Sequence, residues 1–321
     1  DEFLRANYEV EENVLATYFM TNQKLSDKLS VLAGIRLEHT SLTATGNNIL
    51  DEDTLDGTNT DKSSYSNLMP GIHFKYDVSK STVLRFAWTN TLARPNYADI
   101  TPTLDVVTGD EEVFLGNPDL DPYRASQFDF SLEWYFDDAA LLSMALFNKD
   151  VESFVEFKRT IEQHEGINMT IDRPINGNGG TIRGVELGYQ QELFYGVGLI
   201  ANYTFVDGNR TDSSTGRKNY VPGTSKHTVN LTSYYDNEWL SARLAYNYRT
   251  HFATGVGEAI MDDFGQLDGN LTFKVSNHLD LVFEAINLTD EITHIYERNH
   301  YAPTGVYQNG RRFYFGVRYS H

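Results

Sequence analysis

The stretch QFDFSLEWYF, Gln127 to Phe136, alternates without a break. Phe128, Phe130, Leu132, Trp134 and Phe136 share one parity; Asp129, Ser131, Glu133 and Tyr135 share the other. A period of two places the sets on opposite faces of a β-strand. A soluble sandwich would turn the apolar face into its core, and a membrane barrel would turn it into lipid. The strand alone does not choose between them.

Similar combs recur along the chain. They predict strands over about 13–22, 28–40, 65–77, 81–92, 124–136, 140–157 and 180–192, then 196–206, 225–236, 239–250, 264–275, 278–288 and 311–320. That makes about thirteen. In 239–250, Leu240, Leu244, Tyr246 and Tyr248 oppose Arg243, Asn247 and Arg249. The strand 140–157 carries apolar residues on both parities. Helical periodicity with caps is lacking.

The links decide the fold. Those near 23–27, 78–80, 137–139, 193–195, 237–238 and 276–277 are short and rich in turn formers. Those at 41–64, 93–123, 158–179, 207–224, 251–263 and 289–310 are long and polar. Short and long alternate throughout, as in an all-β transmembrane antiparallel up-and-down β-barrel with tight periplasmic turns and long outer loops. Two stacked sheets could also hide the apolar faces, but give no reason for that alternation.

Composition agrees. The 321 residues include 20 Tyr and 19 Phe, as aromatic girdles need. No apolar run approaches the ~18 residues of a spanning helix, whereas a barrel strand needs only ~9–11 with every second one apolar. The net charge of −19 argues against a nucleic-acid partner. Zero Cys removes disulfides and thiolate chemistry. The opening DEFLRANYEV has neither Met nor a signal-like segment, which suggests a removed signal or a piece of something longer. Thirteen antiparallel strands cannot close properly, so the expectation is the later part of a larger barrel.

Six stretches, EENVLATYFM (11–20), LAGIRLEHT (32–40), TLARPNYADI (91–100), GNPDLDP (116–122), FEAINLTDE (283–291) and GRRFYFGVRY (310–319), carry a resemblance. In this order they resemble the barrel of TonB-dependent outer-membrane receptors. The resemblance covers nearly the whole chain, as one partial domain over 1–321. It implies about thirteen of an expected twenty-two strands, with the family's plug domain and TonB box absent from this chain. It also implies TonB-energised uptake of a scarce, bulky solute such as a siderophore-like chelate or an oligosaccharide. Implied partners are TonB with its inner-membrane energising complex, the extracellular solute, the bilayer with its lipopolysaccharide, and a surface lipoprotein. The chain departs from the family in ending RYSH, with His321 in place of the usual terminal aromatic.

The loop ITHIYERNHYAP, 292–303, is the leading ligand-binding candidate, because His294, Tyr296, Arg298, His300 and Tyr301 could stack on a ring and hold an anion or chelate. His251, in RTHFATG (249–255), is a second. A polar loop folded over its neighbours is the plainer reading of both. DEDTLDGTNTD (51–61) brings Asp51, Asp53, Asp56 and Asp61 together but breaks calcium-loop spacing, so no metal or cofactor is expected. No G-x-S-x-G or H-E-x-x-H occurs, and no enzyme is expected. Polar-face charges, among them Arg36, Glu38, Lys75, Arg85, Glu133, Glu186, Arg243, Glu284 and Arg318, should pair across the wall or with a plug. The alternatives are a passive porin, or a surface binding or adhesion β-protein.

Overall fold

A computed structural model gives the architecture and describes residues 2–51, 53–164, 167–255, 259–297 and 299–320. Among them are two short helices and 22 strands. The first part holds α1 (Glu2–Ala6), β1 (Glu9–Lys24), β2 (Leu29–Leu50), β3 (Thr54–Ser79), β4 (Thr82–Ala93), α2 (Tyr97–Ile100), β5 (Leu104–Val107) and β6 (Glu112–Leu115). Next come β7 (Tyr123–Asp137), β8 (Ala140–Val151), β9 (Val155–His164), β10 (Ile167–Asn176), β11 (Gly180–Phe194), β12 (Val197–Thr211), β13 (Lys218–Tyr220) and β14 (His227–Asp236). The last are β15 (Leu240–Arg249), β16 (Phe252–Ala253), β17 (Ala259–Met261), β18 (Phe264–Ser276), β19 (Leu279–Ile286), β20 (Ile292–Glu297), β21 (Pro303–Gln308) and β22 (Arg312–Tyr319).

Thirteen strands form one antiparallel wall in the order β1, β2, β3, β4, β7, β8, β11, β12, β14, β15, β18, β19, β22. These are the strands the combs predict. Among the described pairings none joins β1 to β22. The short links are tight turns. At the β11–β12 turn Tyr195 and Gly196 have φ of 50° and 81°, the two positive values a two-residue hairpin needs. A Cβ on Gly196 would lie 2.0 Å from the Asp236 carbonyl oxygen, so only glycine fits.

Directly paired residues share a face, so the register tests the comb. Leu84, Phe86 and Trp88 of β4 face Leu132, Phe130 and Phe128 of β7. The Trp88 and Phe128 rings stack at 6.5 Å, and Phe74 extends the row to Phe86 at 6.2 Å. This face is bare: Leu15, Phe19 and Phe315 are each more than 70% exposed. Apart from α1 against β2, every substantial contact between described elements joins sheet neighbours, so no second layer covers it. A contiguous apolar face this broad is not left to water. The other face is polar. There Arg85 meets Glu133 at 2.6 Å, Arg36 meets Glu38 at 2.7 Å, and Lys75 meets Asp77 at 2.9 Å.

The expected loops are largely strand. The link 41–64 is the upper part of the β2–β3 hairpin, paired from Ser41↔Ser64 to Leu50↔Thr54. The link 158–179 falls mostly within the β9–β10 hairpin, and the ambiguous strand 140–157 ends at Val151. Above the wall these hairpins need no apolar face toward lipid, so their polar sequences do not report their pairing. β5 runs parallel to the tip of β2, pairs with β6, and β6 runs parallel to β10. The resulting roof, β3-β2-β5-β6-β10-β9, holds two small cores. Leu42, Ile100, Leu120 and Val155 make one; Val106, Val113, Met169 and Ile171 make the other.

The two faces should answer a charge differently. Phe130→Arg in the full-length protein should cost about 2–4 kcal/mol, as a cation at the bilayer midplane does, and lower the heat-modifiable, folded fraction on detergent gels. Ser131→Arg, on the polar face, should fold as the wild type does. Equal losses at both positions would contradict the assignment of faces.

Candidate functional site

Between the long links, β16, β17, β20 and β21 form a separate four-stranded antiparallel sheet. It is built from 251–263 and 289–310, both expected as loops, and carries most of the predicted site. His294 and Tyr296 share a parity on β20. His300, Tyr301 and His251 lie in the connections, and Arg298 falls outside the described residues.

Two aspartates draw this set together. His300 Nδ1 lies 3.1 Å from Asp262 Oδ2, and His251 Nδ1 lies 3.2 Å from Asp263 Oδ1. The backbone N–H of His251 donates to the same Asp263 oxygen at 2.7 Å, and the Tyr248 hydroxyl donates to the other at 2.8 Å. The Tyr296 ring meets His300 edge-on at 5.1 Å, and Tyr301 flanks His300 at 6.0 Å. Tyr220 from β13 approaches His251 at 6.4 Å. The cluster joins His251, Tyr296, His300 and Tyr301. No side-chain hydrogen bond or ring contact links His294 to it among the described residues. Tyr301 is 91% exposed, a ring free to receive a planar group. Among the described residues no three His, Asp or Glu side chains are grouped to hold a metal ion.

Sequence reasoning missed Asp262, Asp263, Tyr248 and Tyr220. The adjacent aspartates of MDDF were a visible signal, but their partners lie far apart in sequence. Tyr248 has the parity of Leu244, so its root is on the apolar face and the cluster is tied to the outer rim of the wall.

Polar groups elsewhere in the links serve the fold. Arg94 anchors its loop to the wall, with Nε 2.6 Å from Glu12 and Nη2 3.0 Å from Glu38 and 3.3 Å from Thr40. Tyr97 donates to the second Glu12 oxygen at 2.7 Å. GNPDLDP clasps β10: Asn117 donates to the Pro174 carbonyl at 2.9 Å, and the Asp121 N–H donates to Asn176 at 2.9 Å. Asn287 ends β19 at φ 58°, accepting the Glu291 N–H at 2.8 Å. Asp51 accepts from Thr108 instead of joining a calcium loop. Glu156 of β9 and Arg210 of β12 form a buried pair with Ser213, joining the roof to the wall. On the polar face Glu186, Arg243, Glu284 and Arg318, expected to pair across the wall or with a plug, make no ion pair with one another or with other described residues.

Desolvation works to raise the Asp263 carboxyl, but the hydrogen bonds from the His251 backbone, the Tyr248 hydroxyl and the His251 ring outweigh it and hold the group below its usual range. A depressed carboxyl stabilises above its unfolded value, about 3.9, and that contribution is lost as pH falls through the lower folded value. In the full-length protein, Asp263→Asn should raise amide exchange in β16 and β17 several-fold at pH 7. It should also remove any further loosening on acidification, once intrinsic rates are corrected. Exchange equal to wild type at both pH values would show that Asp263 does not hold the sheet.

Comparison with known proteins now adds to this geometry. Residues 4–288 match the family described as TonB dependent receptor-like, beta-barrel. Among solved structures, the siderophore receptor PiuA from Acinetobacter baumannii aligns with TM-score 0.71 and 14% identity, over 97% of this chain and 44% of that one. The ferric-catecholate import receptor Fiu from K12 E. coli aligns with TM-score 0.70 and 16% identity, over 97% and 45%. The copper transporter OprC aligns with TM-score 0.72 and 16% identity, over 97% and 49%. The chain therefore spans less than half the length of each, and at these identities the likeness is one of fold. The bare apolar face, the thirteen-strand wall and the family match agree: the chain belongs to the TonB-dependent receptor β-barrel family and is a protein of the bacterial outer membrane.

Proposed function

We propose that this chain is the barrel part of a receptor for TonB-energised uptake of a scarce, bulky solute. The observation that carries the reading is the polar face. Glu186, Arg243, Glu284 and Arg318 line it without ion-pair partners among the described residues, whereas Arg85, Arg36 and Lys75 are paired. These four side chains are exposed and not engaged in ion pairs among the described residues, which leaves them open to a partner inside the lumen, a plug or a passing solute. TonB and its inner-membrane complex would act through portions that this chain does not span.

The outer platform supports the solute-binding half of the reading. His300, Tyr301 and Tyr296 offer aromatic faces and hydrogen-bonding edges on a sheet held by Asp262 and Asp263, a combination that suits a ring-bearing chelate or an oligosaccharide. PiuA is described as a siderophore receptor and Fiu as a ferric-catecholate import receptor, which makes a ferric chelate the first solute to try. The family is one of transport receptors and not of enzymes. Lipopolysaccharide around the rim and a surface lipoprotein complete the proposed partners.

Uptake by cells carrying the full receptor separates this from a passive porin. Accumulation of a labelled ferric siderophore should require both the receptor and TonB, and collapse with the proton-motive force. Tyr301→Ala should weaken binding roughly tenfold, about the 1–3 kcal/mol of one aromatic contact. Uptake that continues without TonB and follows the solute gradient would contradict the proposal.

A further inference from the structure

The apolar face of the wall is not smooth. Leu244, Gly269, Ala285 and Phe313 form one cross-strand row, and Ala242, Leu271 and Phe283 form the row below. The small members, Ala242, Gly269 and Ala285, sink the floor and open a groove of about 560 Å³. That size lies within the ~300–1,000 Å³ of small-molecule sites. Ala285 is only 5% exposed although it stands on the outward face. A Cβ on Gly269 would meet Leu244 at 3.3 Å and Leu288 at 3.7 Å, so these leucines lean over the floor as side walls.

We propose that this groove holds one acyl chain of a periplasmic-leaflet phospholipid as a fixed ligand. Membership of an outer-membrane family places this face in the hydrocarbon band, where the occupant must be apolar and linear. Tyr234, Arg243 and Asn270 contribute to the lining from the opposite parity, so their side chains belong to the polar face. The rows run across tilted strands, so the groove slants through the bilayer. Its lower end lies at Val197 and Tyr235, beside the tight turns 195–196 and 237–238. Tight turns mark the periplasmic side. There the Tyr235 hydroxyl accepts a hydrogen bond from Asn237 at 2.7 Å, and Trp239 is 56% exposed. A tyrosine, an amide and an indole at the rim give a headgroup polar and amphipathic contacts. The acyl chain then climbs toward Gly269 between Leu244 and Leu288. The assignment needs only the family membership and the local register; it does not depend on the proposed uptake.

Native mass spectrometry of the full receptor, released from nanodiscs holding phospholipid and lipopolysaccharide, tests this directly. The wild type should retain one phospholipid at activation energies that strip the rest. Gly269→Leu, which fills the floor, should reduce that retained fraction at least tenfold while the barrel stays heat-modifiable. Ala201→Leu on β12, outward but away from the groove, should retain the lipid. Should Gly269→Leu fail to fold, Ala285→Ile reads the same site. Undiminished phospholipid in a folded groove variant would overturn the proposal. Retention of lipopolysaccharide instead, or loss of a second receptor copy in place of a lipid, would overturn it equally.

Discussion

In hydrocarbon a backbone amide has no water to bond, and each unpaired group costs several kcal/mol. The wall depends on that constraint. Twelve antiparallel interfaces satisfy thirteen strands in sequence order, and the alternating side chains follow from the pleat. The constraint also identifies β1 and β22 as the edges whose remaining backbone groups lack wall partners among the described pairings. A barrel removes such edges by closure. The solved relatives have more than twice the length over which that can happen.

The same constraint relaxes above the membrane, and the architecture changes there. β2 and β3 run on as a polar hairpin, β5 and β6 bridge to β10 with parallel pairing, and two four-residue apolar clusters suffice to hold the roof. Ion pairs take over part of the anchoring. Arg94 ties its loop to Glu12 and Glu38, and Glu156 with Arg210 is closed off from water. Removing one partner from such a pair leaves a charge uncompensated, which costs roughly 3–5 kcal/mol when fully buried.

How much of this the sequence reveals follows from range and environment. The wall was legible because lipid on one side and water on the other impose a two-residue period on most of its strands, as in Phe128 to Phe136, with β8 the exception. The roof was not, because with water around it a hairpin such as 41–64 looks like any polar loop. The grouping of the candidate side chains was half legible. ITHIYERNHYAP announces itself by composition, and the structure groups Tyr296, His300, Tyr301 and His251. The aspartates that organise them were not seen, since Asp262 meets His300 and Asp263 meets Tyr248 only after the chain has turned twice. Tyr248 in particular looked like one more wall residue.

The central claim is that the apolar parity of 127–136 faces lipid and the polar parity faces the aqueous lumen. Spin labels placed one at a time along this stretch of the full-length protein in bilayers measure that most directly. Collision with dissolved oxygen should peak at 128, 130, 132 and 134, and collision with a water-soluble nickel chelate at 129, 131 and 133. A flat profile, or nickel access on the even positions, would contradict the account.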